Sequence, residues 1–207
     1  MDTQPALLKA IDQVVADFQV GLKKSWNERD LHWCLFYHLK DNGDIREEYP
    51  TQLIRAEFPT WEYREKARRT RGHYDLVVLD RESVVGDKVK ELDFDAEWDE
   101  WLPSVTILAA VEMKLWLSDP LSERSREAIK WDIDKLTPSE GRESGAKVVS
   151  VYYLNFVQMD FNRSHAQRYL QDLERHLTEQ KAEHPSLNIL CVAGGPPIQR
   201  ISTAHWL

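Results

Sequence analysis

Gly72-His73-Tyr74-Asp75-Leu76-Val77-Val78-Leu79 and Ala110-Val111-Glu112-Met113-Lys114-Leu115-Trp116 are the two stretches whose reading decides the fold of this chain. Both hold a short apolar run rich in β-formers, the signature of a strand. In the second, the strand period of two puts Glu112 and Lys114 on one face and Val111, Met113 and Leu115 on the other. Charged side chains inside an otherwise apolar strand are costly unless they have partners or a function. Asp75 stands at the start of the first run. If the two runs pair antiparallel with Asp75 opposite Glu112, Asp80 falls opposite Ile107, and the register fits both strands without overhang. Two carboxylates and an ammonium then converge at one point.

Working outward, Pro5–Lys24 places Leu7, Leu8, Ile11, Val14, Val15, Phe18 and Leu22 at helical spacing. Ser25–Lys40 continues or restarts that helix, and Asn42-Gly43 ends it. Ile45–Phe58 reads as an extended segment bent at Pro50, and Arg64–Arg71 as a basic loop. Beyond the second run, Asp119-Pro120 introduces a helix to about Leu136, since proline suits a first helical turn. Val148–Val157 reads as a strand, Ser164–Glu183 as a helix and Leu187–Ala193 as a final strand stopped by Gly194-Gly195-Pro196-Pro197. No internal repeat interrupts this order. The expectation is an α/β fold, with a central mixed β-sheet flanked by helices in one domain spanning residues 1–207.

Two oxygen ligands that leave positions open for water and phosphate are a common way to hold Mg²⁺. A lysine beside them can orient the attacking water or stabilise the transition state. The residues that supply this set here are Asp75, Glu112 and Lys114. Their arrangement resembles the PD-(D/E)XK nuclease superfamily, whose pattern is an Asp in a short strand followed by an acid-x-Lys triplet in the next. Asp75 matches the Asp, Glu112-Met113-Lys114 the triplet, and Glu28 in Asn27-Glu28-Arg29-Asp30-Leu31-His32 the helical Glu that often precedes them. The helix holding Ile129-Lys130-Trp131-Asp132-Ile133-Asp134-Lys135-Leu136 also resembles the one that follows the triplet in many members. The resemblance covers about residues 25 to 157. The proline before the motif Asp is absent, and the gap from Asp75 to Glu112 is long.

The resemblance implies a restriction-endonuclease-like αβββαβ core and a metal-dependent endonuclease. Asp75 and Glu112 would ligate Mg²⁺, with Mn²⁺ as the alternative ion, and Lys114 would position the water. Glu28 would bind a second metal or the hydrated shell of the first. DNA is the expected substrate, RNA the second, and a homodimer remains open. The rival expectation is a noncatalytic member of the same fold that binds nucleic acid or a protein.

The net charge of −8 does not argue against such a substrate, because it is unevenly spread. Residues 82–102 hold eight acids against two bases, a net −6, which leaves −2 for the rest of the chain. An acidic insertion at about 82–103 thus separates the two motif strands and reads as a solvated excursion, with docking as the alternative that Trp98 and Trp101 favour in part. The bases Arg64, Lys66, Arg68, Arg69 and Arg71 directly precede Asp75 and are candidates for backbone phosphate contact. Trp61, Tyr63 and Trp116 are candidate base-stacking residues, although core packing suits each better. Glu47 and Glu48 are further candidate carboxylates, and His73 a candidate proton-transfer group. Gly194-Gly195 lacks the Lys-Ser/Thr of a phosphate loop and reads as a turn.

No run approaches the roughly 18 apolar residues of a membrane span, and the first residues do not resemble a signal peptide. The two cysteines, Cys34 and Cys191, sit in apolar surroundings and read as buried reduced thiols. A cytoplasmic protein is the expectation.

Overall fold

Strand period and helix period divide the chain as composition suggests. The computed structural model describes residues 3–20, 26–41, 53–63, 71–84, 105–117, 119–137, 147–158, 163–194 and 203–207. Two helices come first, α1 (Thr3–Val20) and α2 (Glu28–Asp41). Three strands follow, β1 (Ile54–Tyr63), β2 (Arg71–Leu79) and β3 (Thr106–Trp116). Helix α3 (Glu123–Leu136), β4 (Lys147–Gln158), α4 (Arg163–Glu183), β5 (Leu187–Gly194) and β6 (Thr203–Trp206) complete the order.

The six strands form one sheet whose spatial order is the order of the sequence. β1, β2 and β3 pair antiparallel, β3, β4 and β5 pair parallel, and β6 returns antiparallel at the far edge. Each parallel step needs a crossover, which α3 and α4 supply. Right-handed crossovers that advance in one direction place their helices on the same face. Ile129, Ile133 and Leu136 of α3 and Leu170, Leu173 and Leu177 of α4 accordingly pack with Val77, Ile107 and Ile189 in one core. Leu7, Ile11 and Phe18 of α1 and Leu31, Leu35 and Leu39 of α2 pack on the opposite face against Leu76, Val111 and Met113. The architecture is a mixed sheet flanked by helices on both sides, as expected. Each fully buried Leu, Ile or Phe contributes about 1.5–3 kcal/mol, so these two cores can carry a few buried charges.

The register of β2 on β3 is Leu76↔Val111, Val77↔Ala110 and Val78↔Ala109, and the same register one step on sets Asp75 opposite Glu112. It slips by one after Val78, so Leu79 meets Ile107. The Asp80 amide donates to Thr106 O at 2.8 Å, and the Thr106 amide to Ser83 Oγ at 3.0 Å. The two ends of the acidic insertion are thereby pinned together at the end of the strands away from Asp75. Residues 85–104 of that insertion lie outside the described residues, as do Glu47 and Glu48.

Several boundaries differ from the sequence reading. Helix α3 begins at Glu123 behind the Ser122 cap, so Pro120 lies before its first turn. The strand expected to end at Phe58 continues to Tyr63 and includes Pro59. It lies at the edge of the sheet, where a missing amide is tolerated. Arg71 opens β2 instead of closing a loop. Leu187–Gly194 is not the final strand, since the four-residue β6 follows it.

Cys34 packs on the α1/α2 face and Cys191 on the other, and they form no disulfide. Burial pushes the Cys191 thiol up to about 12. At Gly194 an added Cβ would stand 3.1 Å from Gln19 Cα, so the glycine admits α1 close to the strand end. No helix among the described residues is long and apolar enough to cross a membrane.

Candidate active site

Helix α2 restarts at Glu28 because Asn27 caps it. The Asp30 amide donates to Asn27 Oδ1 at 2.9 Å, and the Asn27 amide donates back to Asp30 Oδ2 at 3.1 Å. This reciprocal cap fixes the first turn. It places Glu28 and His32, one turn apart, on the side of α2 that faces the ends of β2 and β3.

Asp75 reaches that same place from β2. Its Oδ2 accepts the Met113 amide at 2.7 Å and lies 3.3 Å from His32 Nε2. Burial acts to raise the Asp75 pKa, but the pairing with His32, the Met113 amide and the Lys135 charge hold it below the usual range. Burial likewise acts to lower the His32 pKa, and the pairing with Asp75 more than offsets it, with Glu28 and Glu57 adding to the rise. Glu57 has its backbone in the left-handed region, at φ 53, beside Asp75's place on β2. One ligand atom from each of His32, Glu57 and Asp75 falls within 4.8 Å of the others, close enough to share a cation.

Glu112 is 0% exposed. Burial first, then the negative charge of Asp75, pushes its pKa well above the ordinary range, and Lys135 opposes them. Lys135 Nζ sits 2.7 Å from Glu112 Oε2, 3.2 Å from Asp132 Oδ1 and 3.1 Å from the His73 carbonyl. Asp132 Oδ2 in turn lies 3.1 Å from Lys114 Nζ, whose other partner is Glu28 Oε1 at 3.5 Å. The side chains therefore run Glu112, Lys135, Asp132, Lys114, Glu28, alternating in sign across the sheet from α3 to α2. Burial opposes the charge on Lys114, but Asp132, Glu28 and Asp75 outweigh it and raise its pKa. Lys114 is an ammonium at neutral pH. Glu112 Oε1 is buried and makes no hydrogen bond among the described residues, which leaves a carboxylate oxygen able to take a further ligand.

The structure thus brings Asp75, Glu112 and Lys114 together, and Glu28, which only the resemblance singled out, lies with them. Trp116 is buried and its indole donates to Asn155 Oδ1 at 3.1 Å, so it packs the core and does not stack on bases. His73 contributes its backbone carbonyl to Lys135. Arg64, Lys66, Arg68 and Arg69 lie outside the described residues, and the side chains of Trp61, Tyr63 and Arg71 are not described.

Sequence reasoning missed His32, Glu57, Asp132 and Lys135. For Asp132 a signal existed. Ile129, Asp132, Ile133 and Leu136 follow the i, i+3, i+4, i+7 stripe of α3's buried face, so an acid occupies a core position. For Glu57 no signal existed, since nothing in an alternating strand marks a left-handed residue.

The paired His32 and Asp75 give a pH test. His32's folded pKa is raised, so its stabilisation is complete below the unfolded value of about 6.5 and is lost as pH rises through the folded value. In chelator, the melting temperature should decline across that window, and His32→Gln should abolish the decline. An unchanged slope in the variant would show that the imidazole carries no charge against Asp75.

Comparison with known proteins finds no matching family model, no matching curated protein and no matching solved structure.

Proposed function

We propose that this chain is a divalent-metal-dependent nuclease of the PD-(D/E)XK type that hydrolyses phosphodiester bonds in DNA. The observation that carries the reading is the convergence of Asp75, Glu112 and Lys114 on one point between β2, β3 and α2, with Asp75 against α2, Glu112 against α3 and Lys114 tied to both. The element order from α2 to β4, which is α-β-β-β-α-β, supports it.

Asp75 and Glu112 are the residues that would hold the ion. The fit rests on the buried Glu112 Oε1 without a hydrogen bond and on two hard carboxylates side by side, which suit Mg²⁺. His32 and Glu57, next to Asp75, extend the donor set and widen it toward Mn²⁺. When bound, the ion supplies neutralisation of phosphate charge and a more acidic water.

The protein's own groups do the rest. Lys114, kept charged by Asp132 and Glu28, donates hydrogen bonds to the attacking water or to a phosphate oxygen and does not accept the water's proton. Glu28 holds Lys114 from the α2 side and is placed to bind a second ion or its hydration shell. Arg64, Lys66, Arg68, Arg69 and Arg71 precede Asp75 in the chain and are assigned to backbone phosphates.

Incubation of single- and double-stranded DNA with the protein, in Mg²⁺, Mn²⁺ or chelator, tests the reading. Cleavage should require the ion. Intact DNA in every condition counts against a nuclease.

A further inference from the structure

We propose that Lys135 is a built-in counter-cation that fills the metal position against Glu112, and that a divalent ion enters only by displacing its ammonium. The inference deepens the reading of Asp75 and Glu112 as metal ligands and rests on it. Its ground is the company the ammonium keeps. Lys135 Nζ touches three oxygens, from Glu112, Asp132 and the His73 carbonyl, at 2.7, 3.2 and 3.1 Å. That is an all-oxygen environment of the kind hard cations take. The Lys135 charge also acts on Asp75, so one ammonium serves both carboxylates assigned to the ion.

Lys114 does not share this role. Its ammonium lies between Asp132 and Glu28, without contact to Glu112. The two lysines are told apart by Asp132, which gives one oxygen to each.

The fold holds Lys135's backbone in place while leaving its side chain a second resting position. Tyr74 donates its hydroxyl to the Lys135 carbonyl at 3.2 Å, anchoring the end of α3 to β2. Asp132, one turn earlier on α3, already shares the ammonium and can keep it when Glu112 turns to the ion. The site would then pass between two neutralised states, closed by Lys135 or loaded with metal, and in neither would Glu112 stand buried and uncompensated.

The test is a calorimetric titration with Mn²⁺ alone, on the parent, Lys135→Met and Lys114→Met. Removing a competitor from Glu112 should tighten Mn²⁺ binding in Lys135→Met by about tenfold or more. Lys114→Met removes the same charge without freeing Glu112, and should tighten binding clearly less. Equal tightening in both variants would reduce the effect to general electrostatics and overturn the inference. Unchanged or weaker binding in Lys135→Met would overturn it too, while the parent's own binding leaves the metal site standing. Absence of binding in all three proteins overturns both.

A second measurement uses the parent only and does not depend on a variant folding. Labelling by an amine-reactive reagent, read at Lys135 by mass spectrometry, should rise when Mn²⁺ is added. Constant labelling at saturating Mn²⁺ would show that the ammonium stays on Glu112, against the inference.

Discussion

Asp75→Ala, Glu112→Ala and Lys114→Ala should each cut divalent-dependent DNA cleavage by about 10²–10³-fold while the protein stays folded. The reasons differ by residue. Asp75 and Glu112 are the two carboxylates side by side on the neighbouring strands β2 and β3, and losing either removes a ligand. Lys114 is the charged donor, and its alanine variant loses the group that orients water or stabilises phosphate charge. Removing Asp75 also takes away a charge that pushes Glu112 up. DNA binding in chelator separates chemistry from affinity, and the three variants should bind as the parent does. Cleavage at the parent's rate by all three would show that the site is elsewhere.

The second large effect is on stability. Lys135→Met should lower the metal-free protein's unfolding free energy by roughly 3–5 kcal/mol, the range for breaking a buried ion pair from one side. Glu112 is fully buried and Lys135 is its closest cation, at 2.7 Å. The carboxyl escapes part of the penalty by taking up a proton, since its pKa is already raised. Adding Glu112→Gln to Lys135→Met should therefore recover much of the loss, and the four proteins form a double-mutant cycle. Denaturant melts in chelator measure it. A Lys135→Met protein as stable as the parent would mean that the ammonium does not compensate Glu112.

Much of this arrangement is written in simple periodicities. Alternation in Ala110–Trp116 puts Glu112 and Lys114 on one face, and matching apolar lengths give the β2–β3 register that sets Asp75 against Glu112. The slip after Val78 was not legible, because a one-residue bulge leaves no mark on an all-apolar run. Asn27 and Asp30 announce where α2 restarts, and so where Glu28 sits. The edge strand β6 escaped notice because four residues after a Gly-Pro-rich stretch of sequence carry no period. Asp132 is legible as an acid on the buried stripe of α3, but the partners of Asp132 and Lys135 are not. Only the sheet beneath α3 shows that both are turned toward Glu112 and Lys114, since their partners come from a strand distant in sequence.

One titration bears most directly on the claim that Asp75 and Glu112 share a divalent ion. Mg²⁺ binding, followed by calorimetry, is compared between the parent and Glu112→Gln, which keeps the shape of the side chain and removes its charge. The account predicts that Glu112→Gln weakens Mg²⁺ binding by at least about tenfold, the equivalent of roughly 1.4 kcal/mol. Parent-like binding in Glu112→Gln would contradict it, and would place the ion on His32, Glu57 and Asp75 without Glu112.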